Sequence, residues 1–406
     1  MNTRRIDWMI GAPGAHLTAS RVKDDPRTVA TALLTISADS HVTEPGDCYV
    51  DRIDPAYRER APRADTDTTM GAVMDVDNGL TRVPYGMIAA AGRPVETINP
   101  FHYVGWDELH AGGWDPAARV VEQDVDGVTA EVLYPSIGML LCNHPDAGYK
   151  KACFDAYNLW ITEFQSHAPD RLIGLGQTAL RSVDEGISDL ERIEELGLHG
   201  AMLPGFAACH ADGDYDDPRW DPLWRAAVEL GLPLSFHILT TGRDDLTGRA
   251  FRGPKMNSFL GIIRGCQDVI GTLIFGGVFE RHPELRVVCV EADAGWAPHW
   301  MYRADHAFHR HRNWLTADAM SRLPSEYFRE NVYVTFQDDW VAFQVTHLLN
   351  HERLMWANDH PHSDATWPDS QAVVADHTRD LPADVRDDIL WRNCARLYGL
   401  DVPAGV

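Results

Sequence analysis

Short apolar segments alternate with helical segments along most of this chain, and this alternation restricts its fold more than any other feature. Eight segments are predicted strands, at residues 32–36, 130–135, 172–177, 200–204, 233–238, 286–291, 332–336 and 354–359. Strands that alternate with helices form a parallel sheet, and eight such units predict a closed (β/α)8 barrel. The alternative is an open doubly wound sheet, which needs a glycine-rich phosphate loop after its first strand. This chain has Asp39-Ser40-His41-Val42 at that place instead.

The predicted barrel accounts for residues 31–406, a length that barrels with insertions reach as one unit. Residues 1–30 are predicted to form an N-terminal arm, because they lack the apolar core of a secretory signal. Two extra helices, at about residues 369–377 and 383–398, are predicted to close the chain.

Residues 46–113 are rich in proline, glycine, aspartate and arginine and show weak periodicity. We predict that they form an insertion after the first strand, folded over the strand ends as a candidate lid. A separate second domain is the less favoured alternative. Within the insertion, segments 72–76 and 81–84 predict a hairpin that turns at Asp77-Asn78-Gly79.

Charge and composition exclude several classes of partner. The formal net charge is −24, and an acidic protein repels the phosphate backbone, so no nucleic-acid partner is expected. We find no apolar run long enough to span a membrane and expect no membrane association. The seven cysteines include no CxxC pair, which fits a reducing cytoplasm and offers no thiolate metal site. A homodimer is compatible with a barrel of this size, although the sequence identifies no interface.

Metal-binding side chains follow four of the eight predicted strands. Strand one is followed by Asp39, His41 and Glu44, strand five ends in His237, strand six ends in Glu291, and strand eight ends in Asp359, with His360 and His362 beyond it. The C-terminal ends of barrel strands meet at one mouth, so these side chains are expected to share one site. Asp39 and His41 are expected to point the same way, because side chains alternate along a strand.

Several of these positions have an ordinary alternative. His237 lies within an apolar strand, where a histidine is often a core residue. Glu44 lies beyond its strand and equally fits a ligand, an outer partner or a loop start. Glu291 ends an apolar run, where an unpaired carboxylate is costly to bury, so a cation is expected there. His360 and His362 flank a proline, and one of them is expected to face the site.

Two histidines and four carboxylates predict one or two divalent ions of Zn, Mn or Fe. The ion would polarise an oxygen of a small-molecule substrate or activate a water, while Asp359 accepts or returns a proton. His362 is the second candidate catalytic group. Arg303 is a candidate clamp for a substrate carboxylate, and a surface ion pair with Asp305 is the equal alternative.

Five motifs together carry a family resemblance. They are Asp39-x-His41-x-x-Glu44-Pro45, Phe236-His237, Glu291-Ala292-Asp293-Ala294-Gly295-Trp296, Thr335-Phe336-Gln337-Asp338-Asp339 and Asp359-His360-Pro361-His362-Ser363-Asp364-x-x-Trp367-Pro368. Over about residues 33–400 the chain resembles the amidohydrolase superfamily, and within it the amidohydrolase family 2 branch. That branch includes aminocarboxymuconate semialdehyde decarboxylase-like and resorcylate decarboxylase-like enzymes. The resemblance implies a (β/α)8 barrel, a divalent metal, and hydrolysis or non-oxidative decarboxylation of small carboxylated, often aromatic, substrates.

The resemblance also implies roles for individual residues. Asp39 and His41 correspond to the first metal-binding pair of the family, and His237 to its strand-five ligand. Asp359 corresponds to the aspartate that binds metal and handles a proton. Two positions depart from the family pattern: Asp39 replaces the commoner His or Glu, and Glu291 replaces a histidine that handles substrate and proton in the decarboxylases. The second departure weakens the case for simple decarboxylation and leaves a carboxylate-rich, non-heme di-iron monooxygenase as the alternative.

Overall fold

The structure is a computed structural model that describes residues 32–207, 213–241, 253–315 and 320–401. The predicted N-terminal arm, residues 1–30, lies outside the described residues. The strands in this part of the chain are β1 (Ile36–His41), β2 (Arg63–Asp67), β3 (Gly71–Val76), β4 (Thr81–Pro84), β5 (Ala130–Tyr134), β6 (Leu172–Gly174), β7 (Gly176–Gln177), β8 (Ala201–Met202), β9 (Leu234–His237), β10 (Val287–Val290), β11 (Val332–Phe336) and β12 (Leu354–Trp356).

Parallel strands form the wall of a barrel. One parallel sheet has the order β1-β5-β6, and a second has the order β12-β11-β10-β9-β8-β7. Only Leu175 separates β6 from β7, so these two are halves of one strand that joins the sheets. At the other seam, the N–H of Asp359 donates to the carbonyl of Asp39 (3.0 Å) and the N–H of His41 donates to the carbonyl of His360 (2.8 Å). The predicted (β/α)8 barrel is confirmed.

Helices surround this wall and follow its strands. They are α1 (Gly46–Val50), α2 (Tyr85–Ile88), α3 (Pro116–Asp126), α4 (Ile137–Leu141), α5 (Ala147–Gln165), α6 (Val183–Glu195), α7 (Asp221–Glu229), α8 (Ser258–Phe275), α9 (Val278–Arg281), α10 (Ala297–His311), α11 (Pro324–Asn331), α12 (Trp340–Gln344), α13 (Ser370–His377), α14 (Ala383–Asp387) and α15 (Asn393–Tyr398). Helix α3 shows how local sequence sets these bounds. Asp115 caps its first turn by accepting from the N–H groups of Ala117 and Ala118, and Gly127 ends it at φ +71°.

Helix α8 corrects one expectation from the sequence. Its 18 residues have a mean hydropathy of 1.3, so by length and composition alone it is apolar enough to cross a membrane. It connects β9 to β10, which are neighbouring parallel strands. Such strands require a crossover connection, and the buried side chains of α8, among them Ile270 and Leu273, pack in the core. Five residues of α8 are buried, whereas Phe259 and Leu260 are exposed (65% and 61%), so packing in the barrel accounts for only part of its apolar character.

The insertion contains a three-stranded antiparallel sheet in the order β2-β3-β4. The predicted hairpin is β3–β4, and Asp77, Asn78 and Gly79 in its turn have φ values of +51°, +54° and +89°. Strand β2 was not predicted, because its residues are mostly exposed and have no apolar alternation. The insertion ends against the barrel, where the carbonyl of Gly113 accepts from the N–H of Thr43 (2.8 Å).

Strand one lies at Ile36–His41 and not at residues 32–36, and strands four, six and eight and the last helix are shorter than predicted. Strand eight ends at Trp356 and not at residue 359, and strand six ends at Val290 and not at Glu291. Glu291 directly follows β10 with a left-handed backbone angle (φ +55°), which ends an extended strand. Asp359 is also left-handed (φ +54°) and lies three residues beyond the end of β12. The predicted helix at 383–398 is divided by a π-helical turn at Asp388–Arg392.

Candidate metal centre

Six side chains converge at the barrel mouth, and we call them the mouth cluster: Asp39, His41, His237, Glu291, Asp359 and His362. They form two overlapping groups, each with ligand atoms that all lie within 4.8 Å of one another. The first group contains Asp39 and His237, the second contains Asp359 and His362, and both contain His41 and Glu291. The cluster is deeply buried: Asp39, His41, His237 and Asp359 are each 0% exposed.

The two histidines His41 and His237 present unprotonated nitrogens to each other. The Nδ1 atom of His41 lies 3.1 Å from the carbonyl of Pro135, and the Nδ1 atom of His237 lies 3.1 Å from the carbonyl of Ile238. A carbonyl only accepts, so each Nδ1 donates, and in the tautomer with its proton on Nδ1 each ring has a lone pair on Nε2. These two Nε2 atoms are 3.2 Å apart. Two ligands on one ion, with bonds of about 2.0–2.2 Å, lie roughly 3.3 Å apart.

The carboxylates of the cluster also lack ordinary partners. In the described residues, neither oxygen of Asp39 nor of Asp359 has a hydrogen-bond partner, although all four atoms are buried. The nearest oxygens to the His41 Nε2 atom are those of Asp39 (3.4 Å), Asp359 (3.5 Å) and Glu291 (3.8 Å). Buried carboxylates are almost always hydrogen-bonded or paired with a cation. This donor set therefore fits a divalent cation.

Local backbone distortions aim these side chains. The register between β1 and β5 shifts between Ser37 and Ser40, and such a bulge re-aims the side chains around it, here Asp39. Glu291 and Asp359 follow their strands in the left-handed region, which non-glycine residues seldom adopt. Such strain is concentrated at functional sites, and here it occurs at two positions of the cluster.

The sixth member, His362, is oriented by a serine. The hydroxyl of Ser136 donates to the carbonyl of Val42 (2.7 Å), so it accepts from the Nε2–H of His362 (2.9 Å). The free Nδ1 of His362 then faces the Asp359 Oδ1 atom at 3.1 Å. His362 is thus the histidine beside the proline that faces the site, while His360 contacts Glu122 through its Nε2 atom (2.8 Å).

One carboxyl group of the cluster has a lowered pKa, and two have raised pKa values. Burial raises the pKa of Asp39, but the neighbouring imidazoles of His237 and His41 outweigh burial and lower the value to about 2. Burial, followed by the charge of Asp39, raises the pKa of Glu291 well above its usual range. Burial and then the charges of Glu291 and Asp39 do the same to the pKa of Asp359. Without a cation, burial and like charge therefore favour the protonated forms of Glu291 and Asp359.

Metal binding is accordingly expected to release protons. A divalent ion must displace the protons of Glu291 and Asp359, so its affinity should rise as pH rises and fall as pH falls. Calorimetric titration of the metal-free protein with Mn²⁺, in two buffers that differ in ionisation enthalpy, measures the number of protons released. An affinity independent of pH, with no proton release, would contradict this charge distribution.

Glu44, predicted as a possible ligand, is not among the residues brought together in the cluster. Its carboxylate accepts from the N–H groups of Ile137 and Gly138 (3.0 Å each) and of Ser136 (3.2 Å), and from the hydroxyl of Tyr49 (3.2 Å). These amides lie at the start of α4, where backbone donors have no helical partner. The geometry supports a role for Glu44 in holding the chain between β5 and α4.

Replacement of Glu44 by alanine is expected to lower stability without removing metal. Three buried N–H groups would lose their acceptor, which should cost about 3 kcal/mol in the free energy of unfolding. Thermal denaturation and metal analysis of the same sample measure the two effects. Glu44→Gln, which keeps one acceptor oxygen, should have an intermediate melting temperature. Loss of metal from a folded Glu44→Ala protein would make Glu44 a ligand after all.

Arg303, the predicted clamp for a substrate carboxylate, is likewise not joined to the cluster by any contact among the described residues. Its side chain is exposed on α10, and in the described residues no ion pair or hydrogen bond links it to the cluster. Its predicted alternative partner, Asp305, accepts instead from the N–H of Ser325 (2.9 Å). Neither predicted role of Arg303 has a supporting contact in the structure.

Two polar groups next to residues of the cluster were not predicted. The first is the ion pair of Arg119 with Glu131 (2.5 Å), which the position of Glu131 inside an apolar strand should have suggested. The second is His110, Glu122 and His360, whose ligand atoms lie within 4.8 Å of one another. His110 comes from the insertion and Glu122 from α3, so no local pattern in the sequence connects them.

Residues 110–400 match the Amidohydrolase family. A similar curated protein is the 2-amino-3-carboxymuconate-6-semialdehyde decarboxylase of Dictyostelium discoideum, which is 26% identical over 306 residues. The alignment covers 72% of this chain and 79% of that protein. The family match extends from the end of the insertion to the last described helix and includes the strand-five, strand-six and strand-eight residues of the mouth cluster.

Solved structures share the fold at low identity. The amidohydrolase map2389c of Mycobacterium avium subsp. paratuberculosis superimposes with a TM-score of 0.74 at 18% identity, covering 91% of this chain and 100% of that one. A 5-carboxyvanillate decarboxylase of Novosphingobium aromaticivorans, solved with manganese and 4-hydroxy-3-methoxy-5-nitrobenzoic acid, gives a TM-score of 0.63 at 19% identity. That superposition covers 91% of this chain and 96% of that one. This chain belongs to the amidohydrolase family.

Proposed function

We propose that this enzyme is a metal-dependent decarboxylase that removes a carboxyl group as CO2 from a small carboxylated, aromatic or unsaturated substrate. The observation that carries the proposal is the pair of unprotonated Nε2 atoms, on His41 and His237, surrounded by buried carboxylates without hydrogen-bond partners. The similar protein from Dictyostelium is a decarboxylase by name, and the similar structure from Novosphingobium is a decarboxylase that holds manganese. Hydrolysis at the same centre is the related alternative.

The residues that would hold the ion are Asp39, His41, His237, Glu291 and Asp359. Nitrogen and carboxylate donors together suit Mn, Zn or Fe, and we favour Mn. When bound, the ion supplies positive charge that stabilises the negative charge developing on the substrate oxygens. The chain itself excludes water from the site, because four of these five side chains have no exposed surface.

Asp359 is the proposed proton donor. Its Oδ1 atom lies 3.1 Å from the Nδ1 atom of His362, so the two side chains can share one proton when the ion is bound. The proton passes from Asp359 to the substrate carbon that bears the carboxylate. The bond from that carbon to the carboxylate then breaks, CO2 leaves, and the electron pair restores the unsaturated ring. Asp359 is left ionised and regains a proton from solvent through His362.

The reaction can be tested by measuring CO2 release and oxygen uptake together. Manganese-loaded protein is incubated with 5-carboxyvanillate and related hydroxybenzoates labelled with ¹³C in the carboxylate, and ¹³CO2 and dissolved oxygen are recorded together. We expect labelled CO2 in equal amount to product, with no oxygen uptake. Hydrolysis of amide or lactone substrates without CO2 release would show that the enzyme is a hydrolase and not a decarboxylase.

A di-iron monooxygenase is the second candidate, and one observation favours it. The two ligand groups share Glu291 as well as His41, and this additional carboxylate would suit a carboxylate-rich pair of iron ions. This function requires about two iron ions per chain and oxygen uptake that depends on substrate. Iron-loaded protein that consumes oxygen but releases no CO2 would establish it and contradict the decarboxylase.

We further infer a cytoplasmic location for this enzyme, without nucleic-acid or membrane partners. Six cysteines in the described residues are free and buried, which fits a reducing compartment. The net charge of −24 opposes binding to nucleic acids and to anionic membranes. A homodimer is also proposed, and light scattering of the purified protein tests it.

A further inference from the structure

Arg119 is a buried arginine on α3 that joins the two sides of the barrel seam. Its Nη1 atom donates to the carbonyl of His41 (2.6 Å) and its Nη2 atom donates to the carbonyl of His360 (3.0 Å). His41 is a member of the mouth cluster, and His360 directly follows Asp359. The side chain of Arg119 is 0% exposed, so water cannot replace these contacts.

The carboxylate of Glu131 holds the Arg119 guanidinium in place and also contacts Asn358, on the other side of the barrel seam. The Glu131 Oε2 atom accepts from the Arg119 Nε atom (2.5 Å) and from the Gln123 side chain (2.8 Å). The Oε1 atom of Glu131 accepts from the side chain of Asn358 (3.1 Å), the residue before Asp359. The backbone N–H of Asn358 in turn donates to the Ser37 hydroxyl on β1 (2.9 Å).

We propose that Arg119, paired with Glu131, is a positioning residue of the metal centre. The guanidinium fixes the spacing between the backbone of β1 and the segment after β12, and thereby holds Asp39, His41 and Asp359 around one ion. The inference rests on the proposed metal centre and is independent of the reaction catalysed there. Outer residues that orient ligands typically change metal affinity by about ten- to a hundredfold when they are replaced.

Only an arginine provides this set of contacts. Its planar group directs donors to a carboxylate and to two carbonyls at once, whereas a lysine offers a single charged atom on a flexible chain. The same Nη1 atom lies 3.4 Å from the carbonyl of Gly112, at the end of the insertion. Arg119 therefore also connects the insertion to the cluster.

Manganese binding to the metal-free protein tests this role. Arg119→Gln combined with Glu131→Gln removes both charges together, so neither is left buried without its partner. We expect this double variant to keep its circular dichroism spectrum and to bind Mn²⁺ about ten- to a hundredfold more weakly, measured by the electron paramagnetic resonance signal of free Mn²⁺. Arg119→Lys, which keeps a charge beside Glu131, should weaken binding in the same direction.

A matched pair far from the mouth provides the control. Arg281 on α9 donates to both oxygens of Asp221 (2.9 and 3.0 Å) and to the carbonyl of Gly276 (2.8 Å). Arg281→Gln combined with Asp221→Asn should leave manganese affinity unchanged. Unchanged affinity in a folded Arg119 variant, or an equal loss in the control, would overturn the inference. If the double variant does not fold, full affinity in Arg119→Lys would overturn it. A failed CO2 assay on the unmodified enzyme would count against the proposed reaction alone.

Discussion

Replacing His237 with alanine is expected to leave a folded protein that binds no metal at the barrel mouth. The Nε2 atom of His237 lies 3.2 Å from the Nε2 atom of His41 and 3.3 Å from the Glu291 carboxylate, so its loss removes one of two nitrogen ligands. Loss of the ion should cost about 4 kcal/mol of transition-state stabilisation, or roughly a thousandfold in rate. Metal content by elemental analysis and turnover of the same sample measure both effects.

The matched control for this change is His144→Ala. His144 is also a buried histidine, but it lies outside the mouth cluster, with its Nε2 atom 3.3 Å from Asp77. We expect this variant to lose stability and to retain its metal. If His237→Ala retains as much metal as His144→Ala, then His237 is an ordinary core residue and the cluster is not a metal centre.

Replacing Asp359 with asparagine is expected to abolish proton transfer while much of the metal site remains. Asparagine keeps the shape and one oxygen of the side chain, and it tolerates the left-handed backbone found at this position (φ +54°). It cannot accept and return the proton that Asp359 exchanges with His362, whose Nδ1 atom lies 3.1 Å away. Loss of a general acid should lower kcat by about a thousandfold, with a smaller change in KM.

Asp293→Asn is the control for this second prediction. Asp293 shares the left-handed backbone (φ +57°) and has a pKa raised, chiefly by burial, to about 7, but it is absent from both ligand groups of the cluster. We expect it to have nearly normal kcat. Comparable turnover for Asp359→Asn and the unmodified enzyme would remove Asp359 from the proposed mechanism.

The barrel was predictable because its signal is local. Most barrel strands contain a short apolar run, and several alternate with helices whose ends have recognisable sequences, as Asp115 and Gly127 show for α3. Strand one was predicted at residues 32–36 but lies at Ile36–His41, where polar residues of the strand pair with β5. Strand β2 could not be predicted, since its side chains are largely exposed and it is held by backbone pairing to β3. The early end of β10 follows from the left-handed residue Glu291, which the apolar pattern does not reveal.

The mouth cluster was partly predictable for a topological reason. Parallel strands bring their C-terminal ends to one mouth, so Asp39, His41, His237, Glu291 and Asp359 were expected together, and the structure places them together. The sequence alone could not show that Glu44 lies outside the cluster, because its backbone partners come from the segment between β5 and α4.

The contacts behind the cluster depend on tertiary structure. Arg119 was not predicted, since its role comes from two carbonyl groups that are 78 and 241 positions away along the chain. Backbone carbonyls occur at every residue and leave no sequence signature, so only the folded chain shows which of them a buried guanidinium contacts.

Anomalous diffraction from crystals loaded with manganese tests the central claim most directly. The account predicts a strong anomalous peak between His41 and His237, about 2.0–2.3 Å from both Nε2 atoms, with carboxylate oxygens of Asp39, Glu291 or Asp359 completing the coordination. A second peak next to Glu291 would favour the two-ion alternative. Absence of any peak at the mouth, or a principal peak at His110, Glu122 and His360, would contradict the account.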